Sequence, residues 1–357
     1  MALNESNNTI IAEEGWFSKP NPELEKIALA YFRIHPYTSL AVCTFGIITN
    51  IFNIITLTRK HMRTSINCIL TGIAVLDILT MVSYIPFVVH FYLKHGLART
   101  PEKYTYGWTH FLVFHGNLTS TTHTASIWLA VFLGILRFQC LQSAQGKGLG
   151  QRHTIAYVGL ISALSALLMI PNYVLMKVIP IQVNNSSQVI WSLENLGVGS
   201  TNPDPFAVAL FWIYAIIGKI LPCGVITVFG GLLLHTLHLS KKRTENLHSG
   251  SFQTRLKQHS RTTRMLLAVI VLFLVTELPQ GVLVVLSGSV DGFFLNVYLL
   301  LGDMLDIIAL LNNSINFVLY CTMSQQFRDT FVNLLKLPFG KKKPPRNQAE
   351  FTKLTNC

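Results

Sequence analysis

Hydrophobic residues along this chain gather into seven long blocks, at about 36–58, 66–92, 108–138, 153–178, 206–239, 262–288 and 294–321. Each exceeds the roughly 20 residues that a helix needs to cross a hydrocarbon core about 30 Å thick. In that solvent every backbone N–H and C=O must be satisfied within the protein, and a helix does this within its own segment. Seven helical spans follow. Two connections are longer than the rest: one around 179–205 holds Asn, Ser, Gly and Pro, and one around 240–261 is basic and rich in Ser, Thr and His. Past the last block, Phe327, Phe331, Leu334 and Leu335 recur at helical spacing and predict a short helix lying on the membrane surface. No repeat period is visible. The expected class is an all-α membrane protein, a seven-transmembrane helix bundle with a short amphipathic eighth helix. The expected divisions are an extracellular tail at 1–35, the bundle at 36–321 and a cytoplasmic helix with basic tail at 322–357.

Composition agrees with this pattern. Of 357 residues, 50% are hydrophobic and 12% charged, against about 25% charged in soluble domains. Hydropathy excludes a soluble structural protein. The formal charge of +12 raises the question of nucleic acid, but its distribution answers differently. Arg59, Lys60, Arg63, Lys241, Lys242, Arg243 and the run Lys341-Lys342-Lys343 belong with most other Lys and Arg on one set of connections, while Glu13, Glu14, Glu23, Glu25, Glu102, Glu194 and Asp204 fall on the other. Basic loops stay in the cytoplasm, so the N-terminus is expected outside and the C-terminus inside, in a plasma membrane. Basic clusters then serve as contacts to anionic headgroups, and no nucleic acid is called for. Met1 to Asn8 is polar, without a basic and then apolar leader, so no cleaved signal peptide is expected. Sequons at Asn4, Asn7, Asn184 and Asn185 fall on the outer side and are expected glycosylation sites. Those at Asn117 and Asn312 fall within spans and read as chance. None of the six cysteines falls in an outer segment, so a disulfide framework is not supported.

Ionisable residues inside the blocks carry more information. A charge at mid-bilayer costs about 2.5–3.5 kcal/mol on insertion scales, so those present face the protein interior. They are Asp77, Arg137, Lys219, Glu277, Asp303 and Asp306, with His115 and His123. Asp303 and Asp306 are three apart and share one face of a helix. Two carboxylates there repel unless water or a cation, such as a ligand's arginine or amine, lies between them. His115, Thr119 and His123 form a polar stripe at four-residue spacing. Prolines 86, 171, 222 and 279 interrupt apolar spans and should kink their helices. No HExxH, GxSxG, phosphate-cradling glycine loop or Cys/His metal spacing is found, and an enzyme reading has nothing to rest on.

The order of marks resembles rhodopsin-like (class A) G-protein-coupled receptors. Gly46-Ile-Ile-Thr-Asn50 resembles the first-helix GxxGN; Leu76-Asp77 carries the second-helix aspartate; Ser126 to Arg137-Phe138 resembles the stretch ending in DRY; Pro222 and Pro279 match helices five and six; Asn316-Phe-Val-Leu-Tyr320 resembles NPxxY. Arg261-Thr-Thr-Arg264, Thr276-Glu277-Leu-Pro279-Gln280-Gly281 and Asn312-Asn-Ser-Ile-Asn316 are similar to invertebrate myosuppressin and FMRFamide-like peptide receptors, a group classed with the W-type serpentine receptors. Two departures are seen. Leu136 precedes Arg137, removing the usual acidic neighbour, and Leu112 stands where most relatives carry cysteine. The usual external disulfide is therefore expected to be absent and its loop mobile.

The resemblance implies a pocket open to the outside for an amidated neuropeptide, with Asp303 and Asp306 near its mouth receiving an arginine. Deeper, Glu277 would face His123 and Lys219 in a polar cluster that either switches on ligand binding or is a static ion pair. Arg137, Tyr320 and Arg264 would meet a heterotrimeric G protein. Asp77, Ser126, Asn312 and Asn316 match positions that hold a sodium ion in many relatives, and hard oxygen ligands suit it. No other cofactor is implied. A nematode-type chemoreceptor for a small molecule and, more remotely, a seven-helix transporter or channel remain alternatives.

Overall fold

The computed structural model describes residues 21–142, 149–182, 188–194, 197–198, 200, 203–245 and 250–336. Seven helices among them are long and apolar enough to cross a membrane: His35–Leu57, Ser65–Lys94, Tyr106–Cys140, Gln151–Leu175, Pro205–Thr236, Leu267–Ser289 and Phe294–Met323, spans 1 to 7 below. Their limits lie within a few residues of those read from hydropathy. The helices of spans 3 and 6 run on, to Gln142 and back to Gly250. Leu167, Val228, Val275 and Val282 point out of the bundle, each more than half exposed. Lipid is the solvent on that face, so apolar area drives no association there, and close packing and buried polar contacts hold the spans together.

Those contacts are specific. Asn50 Nδ2 donates to the carbonyl of Gly46 at 2.9 Å and to that of Asn313 at 3.0 Å, tying span 1 to span 7. Thr80 and Thr122 join spans 2 and 3 through hydroxyls 2.7 Å apart. One apolar core, with Leu70, Ile73, Leu129, Leu133, Tyr320 and Phe327, fills the end of the bundle that carries the C-terminal helix. A second, with Ile127, Val131, Ile226 and Phe273, lies among spans 3, 5 and 6.

Of the four prolines that interrupt the spans, two, Pro86 and Pro222, lie beside a local widening of the helix. The helices continue through Pro86, Pro171 and Pro279. A π turn follows Pro86 at Val89–Lys94, and another, Tyr214–Ile220, precedes Pro222. Such a turn adds a residue to the helical period and redirects the side chains beyond it.

At one end of the bundle lies an antiparallel hairpin, β1 Val178–Gln182 with β2 Val189–Leu193, in which Pro180 faces Trp191. These residues belong to the outer connection expected to be mobile, and here they pair as strands. The Trp191 N–H donates to the Tyr104 carbonyl at 2.9 Å, and Thr109 Oγ1 donates to the Trp191 carbonyl at 3.2 Å, so hydrogen bonds join the hairpin to the start of span 3. The segment 1–35 contains a further helix, Pro22–Phe32, whose first turn is capped by Asn21 Oδ1 accepting from Glu23 N at 2.9 Å. Phe32 stacks on Tyr92 and Tyr31 meets His35 edge-on, which sets this helix against spans 1 and 2.

The C-terminal helix is Gln325–Lys336. Its apolar stripe is only partly a membrane face. Phe327 is buried against Phe317 and Tyr320, and Phe331 packs edge-on to Phe52 and Phe317, whereas Leu335 stays exposed. Its Thr330 also bonds to His61, which lies between spans 1 and 2.

Candidate functional site

The half of the bundle nearer the hairpin holds the acids. The π turn at Tyr214–Ile220 carries Lys219 into the interior. The Ile217 carbonyl in that turn accepts the Trp128 indole N–H at 3.1 Å, so span 3 braces the widened segment. Lys219 Nζ donates to Glu277 Oε2 at 2.7 Å and to Gln280 Oε1 at 2.9 Å. His123 Nε2 lies 3.0 Å from the same Glu277 oxygen. The expected meeting of Glu277, His123 and Lys219 is therefore present as one contact set. Glu277 is fully buried, and its Oε1 has no hydrogen-bond partner among the described residues.

Asp303 and Asp306 share a face of span 7, and both are partly buried. Each is served by a tyrosine of span 2: Tyr92 donates to Asp303 Oδ1 at 2.6 Å and Tyr84 to Asp306 Oδ2 at 2.9 Å. His35 Nε2 lies 3.0 Å from the Tyr84 oxygen. A phenol has one proton. Since Tyr84 gives its proton to Asp306, His35 must be the donor in its own bond, which places a proton on Nε2.

His115 belongs to a different environment from His123. Its ring stacks on Phe87 at 4.6 Å, and its Nδ1 lies 3.1 Å from Ser83 Oγ. Ser83 spends its proton on the Thr80 carbonyl, so His115 Nδ1 carries the hydrogen. Thr119 approaches that nitrogen at 3.5 Å. The stripe read from spacing thus divides, with His115 packed against span 2 and His123 turned to span 6.

At the opposite end, Arg137 is almost wholly buried, and its neighbour Leu136 packs on the core that contains Tyr320. Between the two ends lies Asp77, 2% exposed, which accepts from Asn316 Nδ2 at 3.4 Å. The side chains of Ser126 and Asn312 make no hydrogen bond among the described residues. The oxygens of Asp77, Ser126 and Asn312 suit a hard cation; Asn316, as placed, turns its nitrogen to the carboxylate. The sequons at Asn4, Asn7, Asn184 and Asn185, and the side chain of Arg264, lie outside the described residues. Asn117 is buried, accepting from Asn172 at 2.6 Å, which fits the reading of its sequon as chance.

Sequence reading missed Tyr84, Tyr92, His35, Gln280 and Trp128. Apart from His35, which lay just before the first block, all are uncharged groups that cost little in a span and raise no flag of their own. The signals in hand were Tyr84 and Tyr92 in the second block, and Gln280 beside Pro279.

The family model described as "Serpentine type 7TM GPCR chemoreceptor Srw" matches residues 37–338. The chain is 30% identical to the "G-protein coupled receptor dmsr-1" of Caenorhabditis elegans, covering 91% of this chain and 74% of that protein. It is 25% identical to the "Sex peptide receptor" of Drosophila melanogaster, over 80% of this chain and 68% of the other. Among solved structures it is similar to squid rhodopsin, with a TM-score of 0.66 at 14% identity and 91% of each chain covered.

Proposed function

The chain belongs to the serpentine 7TM G-protein-coupled receptor family Srw, and on that premise we propose that it is a receptor activated by an extracellular amidated peptide and acting through a heterotrimeric G protein. The observation that carries the peptide reading is the acid content of the hairpin half. Asp303, Asp306 and Glu277 stand there, and the buried ammonium within the spans, Lys219, is already engaged by Glu277 and Gln280. A cationic group on a ligand is complementary to that interior, and a free carboxylate is not. Peptide relatives such as the sex peptide receptor support the same class.

In this reading the N-terminus and the hairpin are extracellular and the C-terminal helix cytoplasmic, in accord with the Lys and Arg bias. A ligand arginine takes the place of the tyrosine protons on Asp303 and Asp306 as charge-assisted bonds. Thr119, His115 and His123 line the way toward Glu277, whose contacts with Lys219 and His123 are the element that ligand binding biases. Arg137 and Tyr320 lie in the core at the far end, so coupling requires that end to open and release them to the G protein, with Arg264 adding positive charge. Asp77, Ser126, Asn312 and Asn316 would hold a sodium ion, which supplies positive charge beside the buried Asp77. Asn4, Asn7, Asn184 and Asn185 are then available to glycosylation outside.

The test is a second-messenger screen of cells expressing the chain against amidated peptides ending in Arg-Phe-amide. A dose-dependent response, lost with the free-acid peptide, is expected. The family's description as a chemoreceptor favours a second reading, a receptor for a small diffusible molecule. A response to such molecules with silence to every peptide would establish it instead.

A further inference from the structure

The Glu277 cluster and the Asp306 site are joined through one neutral side chain. Gln280 Oε1 accepts from Lys219 at 2.9 Å, and its Nε2 donates to the carbonyl of Leu305 at 3.2 Å. Leu305 immediately precedes Asp306, which holds Tyr84, which in turn meets His35. The contacts run without a break from His123 on span 3 to His35 on span 1, crossing spans 6, 5, 7 and 2.

The chemistry of the two ends dictates the linker. An ammonium only donates and a backbone carbonyl only accepts. A side chain between them must present an acceptor to Lys219 and a donor to Leu305. A primary amide does both, and these partners settle which way Gln280 points. Glutamate would turn an oxygen toward the Leu305 carbonyl and set a second acid beside Glu277. Leucine would remove both bonds, and asparagine is one methylene short. We propose that Gln280 is a positioning residue that couples the Lys219–Glu277 pair to the acidic turn of span 7, so that a change at Asp306 is felt at Glu277.

The test is a thermal double-mutant cycle on the purified full-length protein without ligand, using Gln280→Leu, Asp306→Asn and the pair. Residues in one network couple, whereas independent sites add. The midpoint shifts are expected to depart from additivity by at least about 2 °C. Additive shifts overturn the proposal. Gln280→Glu keeps the size and the acceptor for Lys219, and it serves in the same cycle should Gln280→Leu not fold. It is expected to lose the coupling to Asp306; retention would show that the Leu305 bond is not the link, and would overturn it equally.

A signalling arm rests on the receptor reading. There Gln280→Leu should cut the maximal response by about fivefold or more while affinity for a labelled peptide stays near that of the unaltered chain. An unchanged maximum counts against the coupling. Silence of the unaltered chain to every peptide, alongside a non-additive thermal cycle, sinks the receptor reading and supports the role of Gln280.

Discussion

Lys219 Nζ sits 2.7 Å from Glu277 Oε2, with both side chains almost completely buried. An ion pair in such a place is costly to form and costlier to break. Removing one partner leaves an uncompensated charge, worth about 3–5 kcal/mol, while replacing both by apolar groups of similar volume is often neutral. Lys219→Met and Glu277→Leu should each lower the thermal midpoint strongly, and the double substitution should recover most of the loss. A double variant as unstable as the sum of the singles would show that the pair is not one unit. Should Glu277→Gln leave both peptide potency and maximal response unchanged, the pair is a static bridge and its proposed switching role is lost.

Asp306 and Asp303 are the acids offered to a ligand cation. Hydrogen bonds to charged groups are worth about 1.5–3 kcal/mol, or roughly 10- to 150-fold in affinity. Asp306→Asn and Asp303→Asn should each weaken an arginine-bearing peptide on that scale. The same peptide with citrulline for arginine should be far less sensitive to either change. Equal losses for both peptides in a binding assay would mean that the acids do not meet the guanidinium.

At Gly46 spans 1, 2 and 7 approach one another closely. A Cβ there would stand 2.5 Å from Met81 Cε and Sδ and from Ser314 Oγ. Methionine can move aside, but Ser314 is held by its bond to the Leu310 carbonyl at 2.7 Å. Gly46→Val should cost about 1–3 kcal/mol through overpacking, read as a lowered midpoint and reduced surface expression. Gly224 has nothing near its added Cβ, so Gly224→Ala is the matched control and should change little.

His61 offers a pH test away from the spans. Its Nε2 lies 2.9 Å from Thr330 Oγ1, and Thr330 gives its own proton to the Gln326 carbonyl at 2.7 Å, so the neutral imidazole is the donor. Burial, then the charge of Arg59, holds this histidine below its ordinary value, which is about 6.5. As pH falls through that value the unfolded chain binds a proton that the folded chain resists, so the contribution present above it is lost below it. The midpoint difference between the unaltered chain and His61→Gln should therefore shrink from about pH 7.5 to about pH 5.5. A flat difference would mean that His61 does not anchor the C-terminal helix.

Hydropathy located all seven spans because lipid imposes a local rule: each apolar helix satisfies its own backbone. The charged members of the site were legible for the same reason, since Asp77, Glu277, Asp303, Asp306 and Lys219 are anomalies in apolar blocks. Tyr84, Tyr92 and Gln280 were not, because a neutral polar group in a span costs too little to stand out. The hairpin was hidden as well; one of its anchoring bonds joins backbone groups of Trp191 and Tyr104, which leave no mark on residue identity, and the other comes from the neutral hydroxyl of Thr109.

What this sequence settled alone is the number of spans, their order and which of them carry charge, all properties of single segments and their solvent. Which charges meet was decided only in the folded bundle. Lys219 and Glu277 are 58 residues apart, and Tyr84 and Asp306 are 222 apart. Their contact depends on how each helix is rotated about its axis, and for Lys219 on a π turn that shifts the helical period. Rotation is set by packing against neighbouring helices, and no segment contains that information by itself.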